Sequence, residues 1–470
     1  MQKTWPHLWA FFPDCRVASG AHRPAGALTL PPMQEGAWAT PAFNGIHRPI
    51  ALLAPFAPPA HAALPEAVRA AWHDAFSEDP PEALLAALPY TRFACPFSPR
   101  PISAEAAVAL LALWRSTATQ NRQIGSFLGM AGWKQAAITS AFGQAPFAKN
   151  PAAALAHPGK VLAWASSLTP ATEAAAGERL WRVEDGFIRS LGLGVNFAPA
   201  ASLVVDPLGM HYDPARPSQL ENILAETDFP PALLARAAAL RGRITAANIT
   251  KYNLAETPPP LPATPGRRRI LVVGQVEDDA SIRHGAGRVR SNADLLAAAR
   301  AAEPQAFIIY KPHPDVQTGY RRGYLPTREA RRHADMVVNA GNIGTLLAQM
   351  DALHSITSLA GFEALLRGVA VTTWGAPFYA GWGLTDDREP PPRRGRRLSL
   401  DALVAGCLIL YPRYQDPITQ LPCTPELLLD RLAEPALWPR LPPGRRAYLA
   451  WWRLQGQWLK LARAAGLWRR

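Results

Sequence analysis

Residues 270–281, ILVVGQVEDDAS, begin with a continuous apolar run that ends at a glycine, and three successive acids follow after two further residues. A short run in which every residue is apolar is typical of a strand buried on both faces. Further along the chain, strands and helices are predicted to alternate, with strands at 307–310, 353–357 and 369–373 and helices at 292–302, 343–350 and 361–367. Such alternation with short connections predicts a parallel, doubly wound sheet, whose ligands bind beyond the carboxyl ends of the strands.

A second α/β segment is predicted upstream of residue 254. Its strands are the short apolar runs at 161–165, 180–183 and 202–205, and residues 231–247 form a long helical pattern. Ser218, with Glu221 three residues later, has the spacing of a helix N-cap and capping box. Residues 103–142, which include the apolar side chains of Ile124, Phe127 and Leu128, are also predicted to be helical.

Composition marks the boundaries of these segments. Residues 254–266 contain five prolines without an apolar period, which indicates a linker. Residues 1–90 are rich in proline and alanine. We therefore predict an N-terminal extension at 1–90, two α/β domains at 91–257 and 266–400, and C-terminal helices at 401–470.

The net charge of the 470-residue chain is +13, which favours anionic partners. Only seven of its 49 basic residues are lysines, so a compositional bias toward arginine explains the charge equally well. No recognised nucleic-acid-binding motif accompanies the charge, and we expect no nucleic-acid partner. Four scattered cysteines without metal-site spacing, and no apolar run of 18 residues, predict a cytoplasmic protein with reduced thiols and no bound metal.

Three polar clusters follow predicted strands. Glu184 and Asp185 precede Gly186 and could supply a general acid or base, although Asp-Gly is also a common turn signal, which the local sequence favours. In the 270–281 stretch, an aspartate among the three successive acids could attack an anomeric carbon or hold a divalent metal, or the acids could form a solvated loop.

The third cluster, Lys311-Pro312-His313-Pro314, is stiffened by its prolines. A lysine and a histidine held there suit a phosphate or carboxylate ligand.

A fourth cluster begins a predicted helix. Thr357, Ser358 and Gly361 with the free N–H groups of a helix start would form an anion site, and Glu363 could reach a ribose hydroxyl. An ordinary N-cap explains the hydroxyls equally well. Near the C-terminus, Trp451, Trp458 and Trp468 fall at helical spacing beside a basic face. That pattern fits either a membrane-surface helix or a packed terminal helix.

Taken together, these motifs resemble the capsular polysaccharide β-Kdo transferases. The similarity covers residues 184–194, 202–212, 274–282, 311–315, 357–368 and 377–385, in the family's order. Many members carry two transferase modules in tandem, and the segment QVEDDAS is most similar to the second of them. The length of this chain allows one such module. Residues 1–90 match nothing in the family.

The resemblance implies a GT-B-like fold, with two Rossmann-like domains facing a cleft. The acceptor-side domain comes before the linker and the CMP-binding domain after it. The implied donor is CMP-β-Kdo, the acceptor a lipid-linked Kdo, and the mechanism one with retention and without a cofactor. Peripheral association with an anionic membrane surface, and contact with other capsule-assembly proteins, also follow from it.

The resemblance further implies a role for each matching residue. Asp279 is the expected nucleophile, Glu184 the general acid/base, and His313 the ligand or proton donor of the CMP phosphate. Expected substrate-binding residues are Lys311, Thr357, Ser358, Gly361, Glu363, Gln275, Arg189 and Asp185. Two alternatives stay open: transfer of another CMP-activated acidic sugar such as sialic acid, and a non-catalytic role in capsule assembly.

Overall fold

A computed structural model describes residues 15–18, 37–41, 51–53, 68–73, 91–93, 95–98, 100, 102–190, 200–251, 253, 257–317 and 321–439. The chain forms two compact units. One comprises Met1–Phe127, Lys134–Lys160 and Gln415–Cys423, and the other Leu128–Trp133, Val161–Tyr414 and Thr424–Arg470. The predicted tryptophan-bearing terminal helix and most of the predicted extension at 1–90 lie outside the described residues.

The described strands are β1 (Cys15–Ala18), β2 (Ala37–Pro41), β3 (Ala51–Leu53), β4 (Thr91–Phe93), β5 (Ile124–Leu128), β6 (Phe147–Ala148), β7 (Lys160–Trp164), β8 (Leu180–Asp185), β9 (Ser202–Asp206), β10 (Arg269–Val273), β11 (Phe307–Lys311), β12 (Met336–Val337), β13 (Ala352–Ser355), β14 (Ala370–Thr373), β15 (Asp386–Asp387), β16 (Pro412–Gln415) and β17 (Pro422–Cys423).

The described helices are α1 (Ala104–Asn121), α2 (Gly132–Phe142), α3 (Pro151–Leu155), α4 (Pro170–Ala176), α5 (Gln219–Glu226), α6 (Pro231–Ala246), α7 (Ala280–Gly285), α8 (Asn292–Ala302), α9 (Pro314–Gln317), α10 (Thr327–Ala330), α11 (Ile343–Leu347), α12 (Leu359–Leu366), α13 (Leu400–Val404) and α14 (Pro425–Ala433). Among the described residues, no helix is long and apolar enough to cross a bilayer.

The parallel, doubly wound sheet predicted after the linker is confirmed. Its six strands lie in the order β12-β11-β10-β13-β14-β15, and each pairs in parallel with its neighbours. The strand order therefore reverses between β10 and β13, which is the topological switch point where such sheets bind ligands. Side chains of β10, β11 and α8 form its core, among them the fully buried Ile270, Val272, Leu295, Leu296 and Ile308.

Before the linker, the three predicted strands are confirmed as β7, β8 and β9, but their directions are mixed. β7 and β8 are parallel, whereas β9 is antiparallel to β8. After the second sheet the chain returns as β16, which pairs antiparallel with β9. Glu184 and Asp185 end β8 opposite Val204 and Leu203, so the hydrogen-bonded ladder fixes where these acids begin their loop.

The prediction that Ile124, Phe127 and Leu128 continue a helix is wrong. Helix α1 ends at Asn121, and these three residues belong to β5, where all three are buried. Gly125 lies so close to the Pro158 carbonyl that a Cβ at position 125 would overlap it. A five-residue apolar run has too few residues to distinguish a strand from a helix by its period, and burial on both faces selects the strand.

The predicted cap at Ser218 is confirmed, since its hydroxyl accepts from the Glu221 backbone N–H at 3.1 Å. The Glu221 carboxylate does not complete the capping box. It binds Arg393 at 2.8 Å and Arg394 at 3.0 Å, and Arg394 also donates to the Pro377 and Ala380 carbonyls. The buried ion cluster therefore attaches the loop after β14 to the start of α5.

The buried cluster gives a stability prediction. Arg394 is 3% exposed and its partner Glu221 is 9% exposed. We expect Arg394→Met to lower the free energy of unfolding by about 3 kcal/mol, because it removes a partner from a buried carboxylate. Urea denaturation provides the measurement. The control is Arg236→Met, because Arg236 is 43% exposed and pairs with Glu426 near the surface. Its loss should stay below about 1 kcal/mol, and equal losses for the two variants would contradict the account.

Candidate active site

Two loops meet at the switch point through Gln275 and Thr357. The Gln275 amide donates to the Thr357 hydroxyl at 3.0 Å and accepts from the Thr357 backbone N–H at 2.8 Å. Gln275 itself is held by Asn292 at the start of α8, which accepts from its backbone N–H at 2.8 Å. Both side chains of the pair are buried. Gln275 thus fixes the loop after β10 against the loop after β13.

The three successive acids after β10 have different surroundings. Glu277 accepts from the backbone N–H of Asn292 at 2.7 Å, and Asp278 binds Arg321 at 3.3 Å. Asp279 occupies the N-cap position of α7, and its side chain is 52% exposed. Its carboxylate accepts from the Ser281 hydroxyl at 2.9 Å and lies 3.7 Å from Arg321. Of the three acids, Asp279 therefore presents the most open carboxylate at a helix N-terminus.

The described residues include no group of three or more histidine, cysteine or acidic side chains arranged to hold a metal ion.

The loop after β11 orients His313. Its Nδ1 accepts from the backbone N–H of Asp315 at 3.1 Å, so the neutral ring carries its proton on Nε2. Burial lowers the pKa of His313; Lys251 and Arg321 lower the pKa further, whereas Asp315 and Asp279 oppose them. The side chain is therefore a neutral Nε2–H donor at ordinary pH. Lys311 ends the preceding strand and is buried.

The hydroxyl and glycine after β13 have structural partners. Ser358 is the N-cap of α12, where its hydroxyl accepts from the Ala360 N–H at 3.2 Å, and its own N–H donates to Ser355 Oγ at 2.9 Å. Tyr379 donates its hydroxyl proton to the Ser358 carbonyl at 2.6 Å. A Cβ at Gly361 would overlap that tyrosine hydroxyl, so glycine is needed there for packing. Their roles toward a nucleotide stay predictions.

Glu363 lies within α12 and is buried. Its Oε1 accepts from the backbone N–H of Lys251 at 2.8 Å, and burial raises the pKa of its carboxyl group. The carboxylate thus binds the chain just before the linker. Contact with a ribose stays a prediction.

At the end of β8, the predicted residues are in direct contact. Arg189 is almost completely buried and donates to Asp185 at 2.6 Å and to Ser190 Oγ at 2.9 Å. Gly186 donates to the Ser202 carbonyl at 2.9 Å, which continues the β8–β9 pairing into the loop. Asp185 and Arg189 therefore brace the loop that carries Glu184.

Tyr212, which the sequence did not identify, is influenced by the charges of both Glu184 and Asp279. Burial raises the pKa of its hydroxyl, and the charges of Glu184, Asp279 and Asp213 raise the pKa further. The charge of Arg283 opposes these carboxylates. Tyr212 therefore stays protonated and keeps a hydroxyl proton that it could donate. Its ring packs against His284, with centroids 6.0 Å apart.

Beside Tyr212, His211 is enclosed by aromatic rings. Phe187 and Phe378 contact it with centroid separations of 4.9 and 5.6 Å, and its Nδ1 is buried without a hydrogen-bond partner among the described residues. Burial lowers the pKa of His211 to about 3, with Lys251 and Arg394 contributing. The imidazole ring is therefore neutral and packs against these aromatic side chains.

The predicted catalytic residues thus share neighbours. The charges of Glu184 and Asp279 raise the pKa of Tyr212. The pKa of His313 is raised by the charge of Asp279 and lowered by that of Lys251. The missed residues had weak signals in the sequence. Tyr212 follows a predicted strand within the polar run His211–Asp213, and Lys251 is one of seven lysines.

The state of His313 can be measured. We expect a neutral Nε2–H tautomer at pH 7, because its pKa is shifted below the ordinary value of about 6.5, so protonation begins only at lower pH. Two-bond proton–nitrogen NMR correlation distinguishes the tautomers, and His313→Asn assigns the signal by its loss. An imidazolium ring at pH 7, or a proton on Nδ1, would be inconsistent with this geometry.

Solved structures of two transferases resemble this fold. They are described as the β-Kdo 2,7 transferase and the β-Kdo 2,4 transferase of Thermosulfurimonas dismutans KpsC. The first is 33% identical with a TM-score of 0.57, covering 66% of this chain and 99% of that one. The second is 31% identical with a TM-score of 0.57, covering 66% and 98%.

Curated relatives match over part of their length. The capsule polysaccharide modification protein LipA of Neisseria meningitidis serogroup A is 46% identical over 267 residues, which is 56% of this chain and 38% of LipA. The lipopolysaccharide-processing protein LpsZ of Rhizobium meliloti is 47% identical over 238 residues, 50% of this chain and 54% of LpsZ. The chain thus spans between about a third and about half of these relatives.

A family model described as capsule polysaccharide biosynthesis protein matches residues 165–261 and 240–414. These ranges take in more than half of the chain and include Glu184, Tyr212, Asp279 and His313. The chain belongs to the capsule polysaccharide biosynthesis protein family.

Proposed function

We propose that the chain is a retaining β-Kdo transferase, which moves Kdo from CMP-β-Kdo to a lipid-linked Kdo acceptor in capsule biosynthesis. The observation that carries the proposal is the buried Gln275–Thr357 pair, which fixes the loop that carries Asp279 against the start of α12 at the switch point. The charge of Asp279 also acts on His313, and those of Glu184 and Asp279 act on Tyr212. Two carboxylates and a neutral imidazole donor beside a nucleotide-type switch point suit such a transfer. The similarity to the two KpsC transferases supports the substrate class.

Retention of configuration follows from two successive inversions. In the first, the Asp279 carboxylate attacks the anomeric carbon, and the bond to the CMP phosphate oxygen breaks with its electron pair leaving on the phosphate. In the second, Glu184 takes the proton of the acceptor hydroxyl while that oxygen attacks the same carbon and releases the Asp279 carboxylate. Ser281 and Arg321 hold Asp279 in position for the first step.

Nearby groups need to neutralise the negative charge of the leaving phosphate. His313 offers an Nε2–H bond to it, since its Nδ1 is already bound to the Asp315 N–H. The start of α12 adds the positive end of a helix dipole beside Thr357. The proposal assigns neutralisation to these groups and calls for no cofactor.

We propose that the protein acts in the cytoplasm at the inner face of a membrane, because the proposed acceptor is lipid-linked. A GT-B-like arrangement, with Glu184 on the acceptor side and Asp279 and His313 on the donor side of one cleft, fits the order of the two sheets in the chain. The terminal tryptophan-bearing segment is the proposed contact with the anionic surface, and capsule-assembly proteins are proposed partners.

Intact-protein mass spectrometry tests the nucleophile. Glu184→Gln should slow the second inversion, so we expect this variant to gain the mass of one Kdo residue after mixing with CMP-Kdo. Adding Asp279→Asn to Glu184→Gln should abolish the gain. Asp278→Asn is the matched control, because Asp278 is adjacent and also binds Arg321, and its turnover should stay within about threefold of the wild type. Full activity of Asp279→Ala or Asp279→Asn would overturn the assignment.

Another CMP-activated acidic sugar, such as sialic acid, would use the same residues. Donor competition separates the two candidates: turnover of CMP-sialic acid without turnover of CMP-Kdo would replace the Kdo proposal. A non-catalytic assembly factor is the remaining alternative, and a lack of CMP binding by calorimetry would favour it.

A further inference from the structure

Lys251 lies in a turn whose ends are bonded to each other. Thr250 donates its backbone N–H to Asn253 Oδ1 at 3.0 Å, and Asn253 donates its own to Thr250 Oγ1 at 3.1 Å. Asn253 has a φ of 49°, in the left-handed region that asparagine tolerates. The turn therefore has little freedom to move Lys251.

The backbone of Lys251 also connects two of the site's clusters. Its N–H donates to Glu363 Oε1 on α12 at 2.8 Å. Its carbonyl accepts from the N–H groups of Arg189 and Ser190 at 3.3 and 3.4 Å, and Asn253 Nδ2 donates to the Ser190 carbonyl at 3.0 Å. Lys251 is thus attached to the helix that follows the switch point and to the loop that carries Glu184.

The charge of Lys251 acts on groups that the proposed reaction uses. Lys251 is partly buried. Its charge lowers the pKa of both His211 and His313 and opposes the raised pKa of Glu363. The backbone contacts place Lys251 between the helix after the switch point and the loop that carries Glu184, and the lowered pKa of His313 agrees with a positive charge there.

A charge balance explains why a cation is needed there. The donor brings a phosphate diester and a sugar carboxylate into a site that already holds Glu184 and Asp279. Like charges so close together disfavour binding unless cations are near. A lysine is a compact charge on a flexible stem, which suits an anionic group that moves as the bond breaks.

We propose that Lys251 binds an anionic oxygen of the donor, and that Glu363 and the Arg189–Ser190 backbone position it. The inference rests on the proposed function and adds a residue to it. It also explains the buried Glu363 within this chain: its carboxylate holds the Lys251 backbone and balances the ammonium charge. Lys311, the lysine that the sequence favoured, ends β11 and is buried, and its predicted role stays a prediction.

Calorimetry on the full chain tests the inference, with cytidine, CMP and CMP-Kdo as ligands. We expect Lys251→Met to weaken binding of the donor about tenfold or more, since a charge-assisted hydrogen bond is lost. Lys251→Arg should recover part of the affinity, and cytidine binding should not change. The control is Lys149→Met, which removes an exposed lysine. If Lys251→Met does not fold, Lys251→Gln replaces it.

The anionic oxygen can belong to the phosphate or to the sugar carboxylate, and calorimetry gives a different result for each. Either result supports the inference. Equal losses for CMP and CMP-Kdo place the ammonium on the phosphate, and a loss for CMP-Kdo alone places it on the sugar carboxylate. Unchanged affinity for both, or an equal loss for cytidine, overturns the inference. Failure of the proposed function is distinguishable, because the wild type itself would then neither bind nor turn over CMP-Kdo.

Discussion

The side chain of Gln275 binds Thr357 through a donor and an acceptor at once, across the point where the strand order of the parallel sheet reverses. Both residues are buried, so an unmade bond there would cost about 1–3 kcal/mol for each orphaned group. The pairing sets the separation between the loop after β10, which carries Asp279, and the helix start after β13. A nucleotide placed at the switch point meets both.

Helix α12 receives attachments from several directions. Tyr379 binds the Ser358 carbonyl at its first turn, and Glu363 binds Lys251 from its middle. The glycine at 361 lets the tyrosine approach closely enough. The N–H groups of Thr357, Ser358 and Ala360 are already bonded to side chains of this chain. The fixed helix start therefore acts on a nearby anion through the positive end of its dipole, without rearrangement. Through Lys251, α12 is also connected to the loop after β8.

The sequence predicted those parts of the fold that local patterns control. Continuous apolar runs identified β10, β11 and β14, and Ser218 identified the start of α5, because burial on both faces and capping each leave a short-range signal. The run that contains Phe127 was misassigned because its five residues carry no period. The ion-pair partners of the Glu221 carboxylate, and Glu363 as the partner of the Lys251 N–H, lie more than 100 residues away in the chain. No local pattern predicts such contacts.

The residues of the candidate site were likewise only partly predictable from local sequence. Glu184, Asp279 and His313 were predicted from their position after strands and from the family's motifs, whereas Tyr212 became a candidate only from the charges around it. Polar residues commonly follow strands, so such a position does not by itself indicate a functional residue. Its role depends on which other loops lie beside it in the folded chain.

A crystal structure of the full chain with CMP would test whether these loops form one donor site. The account predicts the phosphate within about 2.7–3.2 Å of His313 Nε2, beyond the carboxyl ends of β10 and β13 and facing the Asp279 carboxylate. CMP bound elsewhere, or bound there with its phosphate turned away from His313, would contradict it.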